Sequence, residues 1–272
     1  MADVRIALIQ RRNSEDRTVN LAAGLRQLEE AARAGAQLVA FPELAFEPFF
    51  PRLAREKGAA PPPAQTIPGP ITDALSERAR EFGIVIVANL YEADGEQRYD
   101  SSPVIDADGT LLGVQRMLHI TEYEGFYEQQ YYDPGDRGAP VFDTAVGKLG
   151  VAICYDRHYP EVLRQMALDG AEIIVVPQAG SVGEWPEGLY EAEMRVAAFQ
   201  NGVFTALCNR VGPEPPLDFG GESFVCDPNG VVIARAPAGA EHILVTDLDL
   251  AAVARSPAQR LFLRDRRPDW ND

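Results

Sequence analysis

Residues 149–177 read LGVAICYDRHYPEVLRQMALDGAEIIVVP. The first seven form an apolar run of strand length, and AEIIVVP at 171–177 forms another. Between them Pro160 stands where a helix opens, because proline lacks only an N–H that the first turn leaves unused. The segment from 160 to about 168 therefore predicts a helix. Strand, helix and strand in this order predict a crossover unit of an α/β sheet.

The same alternation extends outward in both directions. VRIALI at 4–9 and QLVAF at 37–41 read as buried strands. Between them Leu21, Leu25, Leu28, Ala31 and Ala32 fall at helical spacing, and Gly35 punctuates the pattern. Residues 51–69, rich in Pro and Ala, predict an irregular connection. Residues 71–82 look helical, and the apolar IVIVANLY follows at 84–91. DADG at 106–109 and DPNG at 227–230 sit between strand-like runs and predict hairpin turns. A helix near 189–199 and strands near 203–208, 222–226, 231–235 and 242–248 complete the chain. Helical crossovers together with hairpins predict a layered α/β fold whose sheets are partly antiparallel.

Composition bounds the function. The 272 residues carry 41 Asp and Glu against 25 Lys and Arg, a formal charge of -16. That balance argues against general nucleic-acid binding, which needs a basic surface. Hydrophobic residues make up 46%, enough for a substantial core. No apolar stretch of about 18 residues predicts a membrane span, and the N-terminus shows no secretory signal pattern. The widely spaced Cys154, Cys208 and Cys226 fit free thiols and show no metal-binding spacing, so a cytoplasmic location is expected. Only Lys57 and Lys148 are lysines; the other cations are arginines.

Three residues can carry chemistry. Cys154 ends an apolar run just before a proline-started helix, where a thiol stands at a sheet edge and nearby N–H groups can meet negative charge. Taken alone it also fits a small buried hydrophobe, the reading given to Cys208 and Cys226. Glu43 follows the strand 37–41, at the end where ligands collect in α/β sheets. Pro42 could aim its carboxylate, and a surface turn is the plain alternative. Glu128 lies in GFYEQQYYDPGD, where surrounding aromatics would raise a carboxyl pKa, and an ordinary loop acid is the alternative.

Six segments in order change that balance: FPELAF at 41–46, LHITEYEGFYEQQYYDPGD at 118–136, GVAICYDRHYPE at 150–161, AEIIVVPQAG at 171–180, RVAAFQNGVF at 195–204 and GESFVCDPNGVV at 221–232. Together they resemble the nitrilase superfamily of carbon-nitrogen hydrolases over nearly the whole chain. The Ile-Cys-Tyr-Asp form looks like its amidase and carbamoylase branches. The resemblance implies a four-layer αββα sandwich, one domain over 1–272, and residues 256–272 as an extension used in contacts of a homodimer or larger homo-oligomer. It implies Cys154 as nucleophile, Glu43 as general base and Glu128 as second glutamate, with the Tyr155 N–H helping to hold an oxyanion. Arg116, Tyr131, His158, Gln178 and Trp185 are expected around the substrate, a small amide or N-carbamoyl compound. No cofactor, metal, nucleic acid or membrane partner is expected.

One position departs from the family pattern, which places a catalytic lysine two residues before a histidine. In QRMLHI at 115–120 the histidine is His119, so Met117 fills the lysine position. A thioether is at best a weak acceptor and cannot donate to an oxyanion. Three readings stand open. Arg116 turns inward, although strand neighbours face opposite sides. A buried glutamate keeps its proton and donates instead. Or the chain binds ligand without turnover.

Overall fold

The computed structural model describes residues 3–269. The N-terminal half contributes β1 (Val4–Gln10), α1 (Arg17–Arg33), β2 (Leu38–Ala40), α2 (Pro70–Phe82), β3 (Val85–Val87), β4 (Leu90–Asp94), β5 (Gln97–Ile105) and β6 (Leu111–Arg116). The C-terminal half contributes β7 (Val141–Thr144), β8 (Gly147–Val151), α3 (Pro160–Leu168), β9 (Ile173–Gln178), α4 (Leu189–Asn201), β10 (Phe204–Asn209), β11 (Val211–Glu214), β12 (Leu217–Gly220), β13 (Phe224–Cys226), β14 (Val232–Arg235), β15 (His242–Leu248) and α5 (Ala251–Arg255).

One sheet runs β15-β1-β2-β3-β5-β4, with β6 also paired to β5. The other runs β14-β13-β10-β9-β8-β7. Each has a parallel centre, β1-β2-β3 in the first and β8-β9-β10 in the second, flanked by antiparallel strands. Alternation along the strands assigns the layers. Ile6 and Leu8 of β1 meet Val151 of β8 and Val175 of β9 between the sheets. Ala7 and Ile9 point the other way, onto Leu28 of α1 and Leu75 of α2. Ile174 and Val176 of β9 likewise meet Leu163 of α3 and Met194 of α4. Helices, sheet, sheet and helices make the expected αββα sandwich. Leu8 is fully buried in the middle layer, so Leu8→Ala costs about 2–5 kcal/mol.

Local chemistry sets the helix ends. Asp16 accepts the N–H groups of Thr18 and Val19 at 2.8 and 3.2 Å and starts α1. Pro70 and Pro160 each occupy the first turn of their helix.

Two runs end earlier than their apolar character predicts. The run 84–91 breaks after Val87 and resumes at Leu90, because Asn89 leaves the ladder and turns its amide to the Leu44 N–H. The run 149–155 stops at Val151, and Cys154–His158 forms a 3₁₀ turn instead. The β11–β12 hairpin was not expected; Pro213, Pro215 and Pro216 disguise it as a loop. Of the C-terminal extension, residues 270–272 lie outside the described residues.

Candidate active site

The parallel strands of both sheets deliver polar residues to one end of the sandwich. Glu43 follows β2, Asn89 follows β3, Cys154 follows β8 and Gln178 ends β9. The Glu43 turn is clamped through its backbone. Arg210 Nη1 donates to the carbonyls of Glu43 and Leu44, both at 2.8 Å, and Asn13 donates to Leu44 O at 3.2 Å. Leu44 takes φ 45°, where a non-glycine residue is strained, and its N–H is paid back by Asn89 Oδ1 at 2.7 Å.

Cys154 is the second strained residue here, with φ 40°. It opens the 3₁₀ turn Cys154–His158 that carries the chain out of the sheet. Arg157, one 3₁₀ turn later, returns over it and donates to Cys154 O at 2.9 Å. Glu128 opens a 3₁₀ turn whose carbonyl accepts the N–H groups of Tyr131 and Tyr132 at 2.8 and 2.9 Å. One donor atom each of Glu43, Glu128 and Cys154 lies within 4.8 Å of the others, and all three residues are buried. Two hard carboxylate oxygens and one soft sulfur, with no imidazole, are a mismatched set for a single metal ion.

The electrostatics of this corner are one-sided. Burial, and then Glu128, push the Glu43 carboxyl up to about 8; contacts with Cys154, Asp100 and Arg210 pull it back. Burial and Asp100 hold the Glu128 carboxyl well above the usual carboxylate range. Burial and Glu43 do the same to Asp100. The Cys154 thiol is raised by burial, Glu43 and Glu128, and Arg157 is the cation that opposes them. Both oxygens of Glu43, Oε1 of Glu128, Oδ2 of Asp100, the Tyr132 hydroxyl and Arg157 Nη2 are buried without a hydrogen-bond partner. Native interiors rarely leave so many polar atoms unpaired in one place.

The structure thus brings together Glu43, Glu128 and Cys154, with Met117 buried in the same core layer as Cys154. Tyr155 follows Cys154 and packs against His158 at 5.1 Å. His158 also meets Trp185 at 5.4 Å and bonds Glu193 through Nδ1 at 2.6 Å. Gln178 Oε1 accepts from Arg157 at 2.8 Å, leaving its Nε2 unpartnered. His119 is held as a structural residue, bonded to Asp156 at 2.8 Å and stacked on Tyr159 at 3.5 Å.

Two expectations need correction. Arg116 does not turn inward. Its guanidinium lies over Tyr99 at 3.8 Å and pairs with Glu92, Asp94 and Asp136 at 2.7–2.9 Å, because strand alternation sends it to the face opposite Met117. Tyr131 turns its hydroxyl to Leu53 O at 2.8 Å. The hydroxyl of the neighbouring Tyr132 is buried without a partner, and burial, then the charges of Asp100, Glu43 and Glu128, push it up.

Asp100, Asn89 and Arg157 were missed. Arg157 had a signal, since it lies three residues after Cys154 ahead of a proline-started helix. Asp100, in the polar strand YDSS, had none.

A family model described as carbon-nitrogen hydrolase matches residues 5–258. An N-carbamoylputrescine amidase of Arabidopsis thaliana is 34% identical over 98% of this chain and 93% of its own. A citrullinase of Francisella tularensis is 34% identical over 100% of this chain and 98% of its own. A carbon-nitrogen hydrolase structure from Helicobacter pylori superposes with a TM-score of 0.88, at 30% identity, covering 98% of this chain and 96% of that one. A double mutant of the amidase from Nesterenkonia sp. AN1, solved in complex with acrylamide, gives 0.81 at 27% identity, covering 97% and 94%.

Proposed function

Because the chain belongs to the carbon-nitrogen hydrolase family, in the amidase and carbamoyl-amidase branch of the nitrilase superfamily, we propose that it cleaves a small amide or N-carbamoyl compound through a thioester on Cys154. Glu43 takes the Cys154 proton as the sulfur attacks the carbonyl carbon. Charge gathers on the carbonyl oxygen, and the Tyr155 N–H helps to hold it. The C–N bond breaks, and the leaving nitrogen departs with the proton from Glu43. Water then adds to the thioester, giving a proton to Glu43. The C–S bond breaks, the acid leaves, and the proton returns to sulfur. Glu128 orients substrate or water.

The observation that carries this reading is the strained Cys154 beside a buried, unpartnered Glu43 carboxyl. Strain of this kind collects at functional sites, and here it falls on a thiol beside buried acids. Gln178, His158 and Trp185 stand beside Arg157 and Tyr155 as substrate contacts. Arg157 pairs with Glu193 through Nε at 3.1 Å but keeps Nη2 without a partner, and it is the cation assigned to developing charge, because Met117 has no proton to give and every nitrogen of Arg116 faces an acid.

The family match over 5–258 supports one hydrolase domain. The exposed Val196, Phe199, Leu261 and Phe262, the two phenylalanines in edge contact at 5.3 Å, support a second copy docking beside the C-terminal extension. Sedimentation of the parent against Phe262→Asp tests that contact: the parent is an oligomer and the variant dissociates, whereas equal mass for both refutes it.

The activity is tested by ammonia or amine release from a panel of small amides, N-carbamoyl amines and esters. Turnover that vanishes in Cys154→Ser is expected. Silence across the panel, or turnover that survives the substitution, contradicts the reading.

A further inference from the structure

Arg210 stands between β10 and β11 with its side chain buried. A buried guanidinium is costly unless its charge and its donors are answered, so the groups that answer it show what it holds. Nη1 donates to the carbonyls of Glu43 and Leu44, both at 2.8 Å. Nη2 donates to the Glu47 carbonyl at 3.0 Å and to Glu214 Oε1. Three of these four hydrogen bonds end on the turn that carries Glu43. The other oxygen of Glu214 accepts the Phe49 N–H at 2.6 Å, just beyond that turn. The guanidinium carbon lies 5.2 Å from the centre of the Phe219 ring, which meets Phe49 edge-on at 5.6 Å. Glu214 and Phe219 belong to the β11–β12 hairpin, so Arg210 and the hairpin form one backing for residues 43–49.

We propose that Arg210 is a positioning residue that aims the Glu43 carboxyl at Cys154 by holding the backbone of the Glu43 turn, with Glu214 keeping the guanidinium in place. This rests on the reading of Glu43 as the base for Cys154. The hairpin that sequence patterning hides thereby gains a part in the chemistry, although neither Arg210 nor Glu214 touches the reacting atoms.

The turn needs such a holder. Leu44 takes φ 45°, and in that strained turn the carbonyls of Glu43 and Leu44 converge on one nitrogen. Converging carbonyl oxygens repel one another, and a cation between them reverses the sign. The guanidinium is flat and its donors form a rigid fork, so it fixes direction as well as charge. Asn13 also donates to the carbonyls of Leu44 and Glu47, at 3.2 and 2.8 Å, but Arg210 is the one of the two that reaches Glu43. Arg210 is itself anchored to the strand ends of the site. Its N–H donates to Gln178 O at 3.2 Å, and its carbonyl accepts the Gly221 N–H at 3.0 Å. A carboxylate oxygen of Glu43 and the Cys154 sulfur lie within 4.8 Å, a separation that a small rotation of the Glu43 peptide changes. A misplacement of about 1 Å can cost about 10²-fold in rate.

The test is Cys154 alkylation by iodoacetamide, which needs no knowledge of the substrate, followed against pH in a double-mutant cycle. In the parent the rate climbs an acid limb as Glu43 loses its proton, and then levels. Arg210→Lys keeps the charge and loses the fork, and it lowers that level about 10–100-fold. Beside Glu43→Gln the same substitution changes the rate by less than about twofold, because no base is left to aim. An equal loss in both backgrounds shows a merely structural role and overturns the proposal, as does no loss in either. Glu214→Gln serves where the first variant disturbs folding. Glutamine has one oxygen where Glu214 gives one to Arg210 and one to Phe49, so a smaller loss is expected, again only with Glu43 present. No loss there, or a loss that persists beside Glu43→Gln, overturns the proposal. If Glu43→Gln alone leaves the limb and level of the parent unchanged, it is the base reading that fails, and the proposal falls with it.

Discussion

Arg116 and Met117 are neighbours on the chain and face opposite chemistries. On the Arg116 side every charge is answered: one guanidinium meets Glu92, Asp94 and Asp136 and rests on Tyr99. On the Met117 side stand the acids Glu43, Asp100 and Glu128 and a buried thiol, and both oxygens of Glu43 and one each of Asp100 and Glu128 lack partners. Tyr99 and Asp100 divide in the same way on β5. The pleat therefore separates a satisfied ion cluster, in which Arg116 and Glu92 are buried and Asp94 and Asp136 are exposed, from an unsatisfied buried one by a single residue. The first cluster holds the sheet edge. The second stores electrostatic cost at the place where chemistry is expected.

That contrast can be broken from either side. The largest effect is expected from Cys154→Ser, which lowers turnover by about 10³-fold or more while leaving the thermal midpoint close to the parent's. Glu43→Gln follows, with a loss of about 10²–10⁴-fold in kcat/KM. On the satisfied face, Arg116→Gln strands Glu92 without its cation and costs about 3–5 kcal/mol, read from urea unfolding. A smaller cost there shows that the ion cluster is not what holds the edge.

Two smaller effects sharpen the contrast. Met117→Lys brings a cation beside Glu43, which favours the carboxylate. The acid limb of Cys154 alkylation then moves to lower pH, and reactivity at pH 6 rises. An unmoved limb shows that the Met117 side chain does not face the acids. The last effect is on stability. Folding raises Glu43 from 4.5 to about 8, so its contribution is unfavourable once pH exceeds the unfolded value, and fully so above the folded one. Glu43→Gln should raise the thermal midpoint over the parent at pH 8.5 but not at pH 4, by about 2–4 °C per kcal/mol relieved.

Much of the fold was legible because periodicity is a local signal. Pro160 marked the start of α3, and the apolar runs marked the parallel strands. The breaks at Asn89 and after Val151 were not legible, since a polar residue leaving a ladder looks the same in sequence as one facing a neighbour. Glu43, Glu128 and Cys154 could be named from motifs at strand ends. Telling Tyr131 from Tyr132 needed the structure, where the Tyr131 hydroxyl donates to Leu53 O and the Tyr132 hydroxyl is buried without a partner. Asp100 became visible only through its burial and its three-dimensional partner Asn89.

The central claim is that Cys154 forms a covalent acyl bond with an amide or carbamoyl substrate. The direct test is intact-protein mass spectrometry after acid quench of a turnover mixture with a reactive small amide or ester. The account predicts a mass increase equal to the acyl group, mapped to Cys154 and absent in Cys154→Ser. Turnover without any such adduct, or an adduct that persists in Cys154→Ser, would contradict it.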